Sequence, residues 1–206
     1  MLAEIFFSLI VAAILTFAGS LWIDGLYRTS TELTFPENIS KRSRFRRPIL
    51  FCLLAALNLK IFLSTTAPEN FFLLAAIFFL LLMTFTDFEQ YMLFDIMTFP
   101  FAIIGALYSL QGNFLDCAAA AIIGGGIFLL LAIISKGALG GGDVKLIAAL
   151  GLWLGSEKLL NVIICGTIAG GVAALFMILA KKKDRSSYFA YGPYFTLTAI
   201  YFLLLK

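Results

Sequence analysis

Asn70-Phe-Phe-Leu-Leu-Ala-Ala-Ile-Phe-Phe-Leu-Leu-Leu-Met-Thr-Phe-Thr86 runs for 17 residues without a charge and stops against Asp87. A helix that crosses a bilayer needs roughly 20 mostly apolar residues, and this stretch with its flanks meets that need. Outward from it, seven more runs read the same way: Ala3–Tyr27, Pro48–Thr66, Leu93–Gln111, Phe114–Ser135, Val144–Gly155, Lys158–Ala180 and Ser187–Leu205. Val144–Gly155 is short, and reads either as a half-span or as a span that extends back into Gly140–Gly142. The expected fold class is all-α, a polytopic membrane protein of about eight transmembrane helices. A single membrane domain covers residues 1–206, and its one sizeable loop is the short basic segment 28–47.

Composition supports this and excludes a soluble domain. Of the 206 residues, 62% are hydrophobic and 13% charged, and the mean hydropathy is +1.01. So little polar surface cannot cover a water-soluble fold of this length. Residues 1–23 lack a basic leading region and a small-residue cleavage site, so they read as a first span rather than a removed signal. The sequence has no histidine, which removes the commonest general base and zinc ligand. Acid–base chemistry must then use carboxylates, Lys, Tyr or Cys. Cys52, Cys117 and Cys165 stand singly in apolar runs, with no CxxC pair. They read as small buried hydrophobes, and no metal site is expected.

Lysine and arginine placement sets the orientation. With eight spans, one set of loops and span ends holds Arg28, Lys41, Arg42, Arg44, Arg46, Arg47, Lys136, Lys145, Lys181, Lys182, Lys183 and Arg185. The other holds Lys60, Lys158 and Lys206. The richer side is expected to be cytoplasmic, with both termini outside. The basic loop is expected to rest on the membrane surface through anionic lipids.

An ionised carboxylate near a membrane is costly and is a functional candidate by default. Of the twelve acidic residues, Glu4, Glu69, Asp116 and Glu157 fall near non-cytoplasmic span ends. Glu32, Glu37 and Asp184 lie in basic loops, and Asp24 closes the first span. Two segments remain: Phe85-Thr-Asp-Phe-Glu-Gln-Tyr-Met-Leu-Phe-Asp95-Ile-Met-Thr-Phe-Pro100 and Gly137-Ala-Leu-Gly-Gly-Gly-Asp143-Val-Lys-Leu146. Topology puts Asp87, Asp95 and Asp143 at one depth on the cytoplasmic side. Converging carboxylates cannot both ionise cheaply, so one keeps a proton while the other stays charged, and the proton belongs to the pair. Such a pair activates water and polarises a peptide carbonyl. The glycine run lets backbone approach substrate closely and reads as a site wall. The alternative is that Gly140–Gly142 only turns the chain and Asp143 caps a helix.

These segments resemble the type IV prepilin peptidases, members of the GxGD aspartyl protease group. Gly140-Gly141-Gly142-Asp143 matches G-x-G-D, and Val144-Lys145-Leu146 its usual continuation. Asp87, Asp95, Thr98 and Pro100 match the family's first motif, with Leu93-Phe94 where Ile-Pro or Leu-Pro is usual. Tyr191-Gly192-Pro193-Tyr194-Phe195 resembles the late F-G-P-F segment. Gly19-Ser20 to Arg28, and Ile39–Arg42 with Pro48, loosely resemble the early ones.

The resemblance implies that Asp87 and Asp143 are the catalytic pair, with Asp95, Gly140, Gly142 and Lys145 supporting. It implies an aspartyl endopeptidase that cuts the short basic leader of prepilins or pseudopilins on the cytoplasmic face of a bacterial or archaeal cytoplasmic membrane. The substrate's apolar helix stays in the bilayer. Substrate and lipid are the expected partners, with no nucleic acid. Many bacterial members carry a larger CxxC-bearing loop and methylate the new N-terminus. The segment 28–47 has no cysteine, so no cofactor is expected, and S-adenosylmethionine enters only if methyl transfer is retained. The alternative reading is an ion or small-solute transporter with buried carboxylates. A silent assembly partner would have no need of charges at these positions.

Overall fold

The computed structural model describes residues 2–31, 33–64, 69–136, 139–180 and 190–205. Its long helices are α1 (Leu2–Thr29), α3 (Arg46–Ser64), α4 (Glu69–Gln90), α5 (Asp95–Ser109), α6 (Phe114–Ile134), α7 (Gly141–Leu179) and α8 (Gly192–Leu204). Pro36–Asn38 forms a 3-10 turn and Ile39–Arg42 the one-turn α2, and no strand occurs among the described residues. With no water in hydrocarbon, each backbone N–H and C=O must be bonded within its own segment, which is why apolar runs become helices. Five helices, α1, α3, α4, α6 and α7, are long and apolar enough to cross a membrane, while α5 and α8 are shorter apolar helices.

Several boundaries differ from the hydropathy reading. The expected spans Val144–Gly155 and Lys158–Ala180 are two halves of α7, joined through Gly155, which breaks the helical conformation at φ 71° and ψ −178°. Asp116 is the reason for glycine there. Its carboxylate accepts from the Ser156 backbone N–H at 3.0 Å and from Ser156 Oγ at 2.6 Å, and it fills the space a Gly155 side chain would need. Asp116 is thus a helix-joint residue, not only a loop charge. Of the two readings of Val144–Gly155, the structure has the helix extending back into the glycine run, with Gly141 and Gly142 helical and Gly140 as N-cap. Glu32, Gly137, Ala138, Asp184, Lys206 and the basic cluster Lys181, Lys182, Lys183 and Arg185 lie outside the described residues, as do the ends of the expected spans at 65–66 and 187–189.

The bundle centres on α4, two-thirds of whose apolar window is buried (67%), against 22% for α3 and for α6. It touches α1, α3, α5 and α8. The closest pairing is α6 with α7, where small residues replace hydrophobic driving force, as lipid-embedded helices require. A methyl group on Gly125 would lie 2.8 Å from Ala148 Cβ, and one on Gly151 would enter the backbone of Ala120 and Ala121. In the run Gly124–Gly126 the first two glycines lie against Leu159 and Ala148 of α7, while Gly126 faces open space.

Candidate active site

Three helix ends meet at one place. Asp87 sits in the last turn of α4 and is buried, at 6% exposure. Asp143 sits in the first turn of α7. Both line one open pocket of about 270 Å³, together with Tyr91, Met92, Leu93, Gly140, Gly141 and Gly142. The two are near enough for their charges to interact. Residues 56 apart in sequence thus share one cavity because α4 ends where α7 begins.

Each carboxylate is held by backbone. The Gly140 N–H donates to the Asp143 carboxylate, and the Asp143 N–H donates to the Gly140 carbonyl at 3.1 Å. This is the back-reaching half of a capping box, with the acid at N3. The capping and pocket-lining readings of Asp143 therefore coexist. The third helix end is that of α8, where the Gly192 N–H donates to Asp87. A Cβ on Gly192 would lie 2.6 Å from Asp87 Oδ2, so only glycine lets α8 approach. The helix N-terminus brings its unpaired donors to the carboxylate. Gly142 is similarly confined, since its Cβ would meet Leu93 Cβ at 3.0 Å.

Asp95 does not line this pocket. It opens α5 and takes Lys145 Nζ at 2.7 Å on both oxygens, with both side chains half exposed. The pair braces the starts of α5 and α7. Gly140, Gly142 and the two carboxylates come together, while Asp95 and Lys145 stand beside them as an ion pair.

A second charged group went unread in the sequence. Arg46, at 3% exposure, donates through Nη1 to Glu89 Oε2 at 2.8 Å and bonds Asp24 through Nη2. Tyr27 Oη also donates to Glu89 Oε2, at 2.9 Å. Helices α1, α3 and α4 are thereby joined at one end of the bundle. Arg46 is an interior residue, not a solvated loop charge, and Asp24 has an ion pair as well as a helix-end position. The available signal was Glu89, two residues past Asp87 at the end of an apolar helix. Gly192, read in the sequence only as part of a late motif, is the other residue missed at the site.

The segment 33–43 is folded against the end of α4. Gln90 accepts from the Phe35 N–H at 2.8 Å and returns a bond to the Phe35 carbonyl at 3.3 Å. Arg42 donates to the Phe88 carbonyl at 2.9 Å, and its guanidinium lies 4.0 Å from the Phe35 ring centroid and 5.1 Å from that of Tyr91. Tyr91 follows α4 at φ 55°, a left-handed conformation normally left to glycine. For a side-chain-bearing residue it costs about 1 kcal/mol.

Residues 74–175 match the family model described as the type IV leader peptidase family. Among similar proteins is the prepilin leader peptidase/N-methyltransferase of Neisseria gonorrhoeae, 38% identical over 128 residues, which cover 58% of this chain and 43% of the relative. The protein of the same name from Pectobacterium carotovorum subsp. carotovorum is 30% identical over 136 residues, covering 62% and 49%. That from Aeromonas hydrophila is 32% identical over 123 residues, covering 56% and 42%. The similarity thus spans less than half the length of each of these relatives. No solved structure matches the chain.

Proposed function

This chain belongs to the type IV leader peptidase family, and we propose that it is an aspartyl endopeptidase that removes the short basic leader of a prepilin or pseudopilin at the cytoplasmic face of the membrane. The observation that carries the reading is the convergence of Asp87 and Asp143, from two helices, on one pocket. The ionised carboxyl takes a proton from water as the water oxygen bonds to the scissile carbonyl carbon. The protonated carboxyl gives its proton to the carbonyl oxygen. Collapse of the diol breaks the C–N bond, and the leaving nitrogen takes up a proton. This step uses no metal. The Gly192 and Gly140 N–H groups fix the carboxylates, and the Asp95–Lys145 pair holds the helix starts around them.

The side of the membrane is supported by the charges packed at the same end of the bundle. Arg42 bonds the carbonyl of Phe88, the residue after Asp87, and Lys145 follows Asp143 by two. In a background whose native cysteines are replaced, Ser40→Cys should resist an impermeant thiol reagent in intact cells, and Glu157→Cys should react. Reaction at position 40 from outside would place the pocket on the wrong face for leader removal.

The relatives' names include a methyltransferase. The polar pocket beside the 33–43 segment, about 470 Å³, is lined by Asp24, Tyr27, Arg28, Pro36, Glu37, Ile39, Ser40 and Ser43. Two of its polar side chains are already engaged elsewhere. Asp24 is committed to Arg46 and Arg47, and the Tyr27 hydroxyl to Glu89. No step is routed through S-adenosylmethionine. Purified protein incubated with a prepilin and S-adenosylmethionine should give a product lacking the leader mass and carrying no added methyl, with no micromolar binding of the donor by calorimetry. An uncut prepilin would remove the peptidase reading. A methylated product would remove only the statement about the donor.

A further inference from the structure

We propose that Arg42 and Phe35 are positioning residues for the pocket, clamping Tyr91 in the left-handed conformation that makes it a wall beside Asp87 and Asp143. The inference rests on the peptidase reading for its kinetic consequence, but not for its structural one. Three independent contacts bring the 33–43 segment onto the end of α4. The Phe35 ring stands edge-on to Tyr91, with centroids 5.1 Å apart and planes at 82°. The Arg42 guanidinium lies over both rings and also bonds the Phe88 carbonyl. Gln90, wholly buried, exchanges two bonds with the Phe35 backbone. Tyr91 is the first residue after α4, and its N–H still donates to the Asp87 carbonyl at 2.9 Å. Its conformation therefore sets how the chain leaves the turn that bears Asp87, and where Met92 and Leu93 lie on the pocket wall.

The arrangement has a particular logic. A tyrosine at a glycine position relaxes toward the ordinary backbone region unless something outside the helix holds it. The guanidinium is suited to this because its plane stacks on rings while its N–H groups bond a helix-end carbonyl. Lysine carries the charge but not the plane. The loop thus backs a wall of the pocket through Tyr91 and is not only a surface attachment, which gives Arg42 a second role beside orientation.

A double-mutant cycle tests this, because glycine adopts the left-handed conformation without help. In otherwise wild-type protein, Arg42→Ala should lower prepilin kcat/KM about tenfold, and in a Tyr91→Gly background it should add almost nothing. Arg42→Lys, which keeps the charge, should fall between. Equal losses in both backgrounds, or none in either, would overturn the proposal. A second readout needs no substrate. In a background whose native cysteines are replaced, Met92→Cys should react with a thiol reagent several-fold faster once Arg42 is alanine, and Arg42→Ala should leave the rate unchanged when Tyr91 is glycine. If the wild type cuts no prepilin, the peptidase reading fails and this labelling alone decides the clamp. Unchanged labelling would overturn it.

Discussion

Asp87→Asn and Asp143→Asn are each expected to reduce leader cleavage by a factor of about 100 to 10,000, the range for losing a positioned acid or base. Asparagine has the size of aspartate and keeps an oxygen for the Gly192 N–H at position 87 and the Gly140 N–H at position 143. Membrane insertion and the elution volume of the purified protein should therefore stay as in the wild type. Neither amide can take a proton from water or give one to a carbonyl oxygen, so either half of the pair suffices to stop the reaction. Asp95→Asn is the comparison. Its half-exposed pair with Lys145 is of a kind worth about 0–1 kcal/mol, and it does not line the pocket. A loss of less than about tenfold is expected there. Substantial turnover by a folded Asp87 or Asp143 variant would remove the assignment of the pair.

The largest stability effect is expected at Arg46. Replacing it with methionine leaves Glu89 buried without its cation, and breaking such a pair costs about 3–5 kcal/mol. Glu89 Oε1 already has no partner among the described residues, so little is available to absorb the loss. The double variant Arg46→Met with Glu89→Gln should recover much of the stability, because a neutral side chain no longer needs a counter-charge. Reversible unfolding in mixed micelles measures both. A single variant as stable as the wild type would mean that the network is wetter or looser than its burial implies. The transport reading anticipates a buried counter-charge of this kind. Here Arg46 joins helix ends and, like Glu89, lines neither the carboxylate pocket nor the polar one, and the match of residues 74–175 to the type IV leader peptidase family model favours hydrolysis.

Spans were legible because hydropathy is local. A run such as residues 70–86 has one stable state in lipid whatever its neighbours do, and helices form at all eight expected places once the halves of α7 are counted separately. Asp87 and Asp143 stood out for the same reason, as charges abutting such runs. Boundaries were less legible. Hydropathy does not register that Asp116 fills the space at Gly155, or that α4 continues through Gln90.

By itself, then, the sequence determined a multi-span helical protein with carboxylates at span ends and their family motifs. Only the tertiary structure decided which carboxylates share a pocket and which are paired elsewhere. It placed Asp87 with Asp143, Asp95 with Lys145, and Asp24 and Glu89 on Arg46. It also decided that α8 starts against Asp87 through Gly192, and that the basic segment lies against Tyr91. The physical reason is range. The cost of leaving water acts on each segment alone, whereas a charge's partner is set by which helix ends arrive within about 3 Å of it, and that depends on side-chain packing summed over the whole bundle.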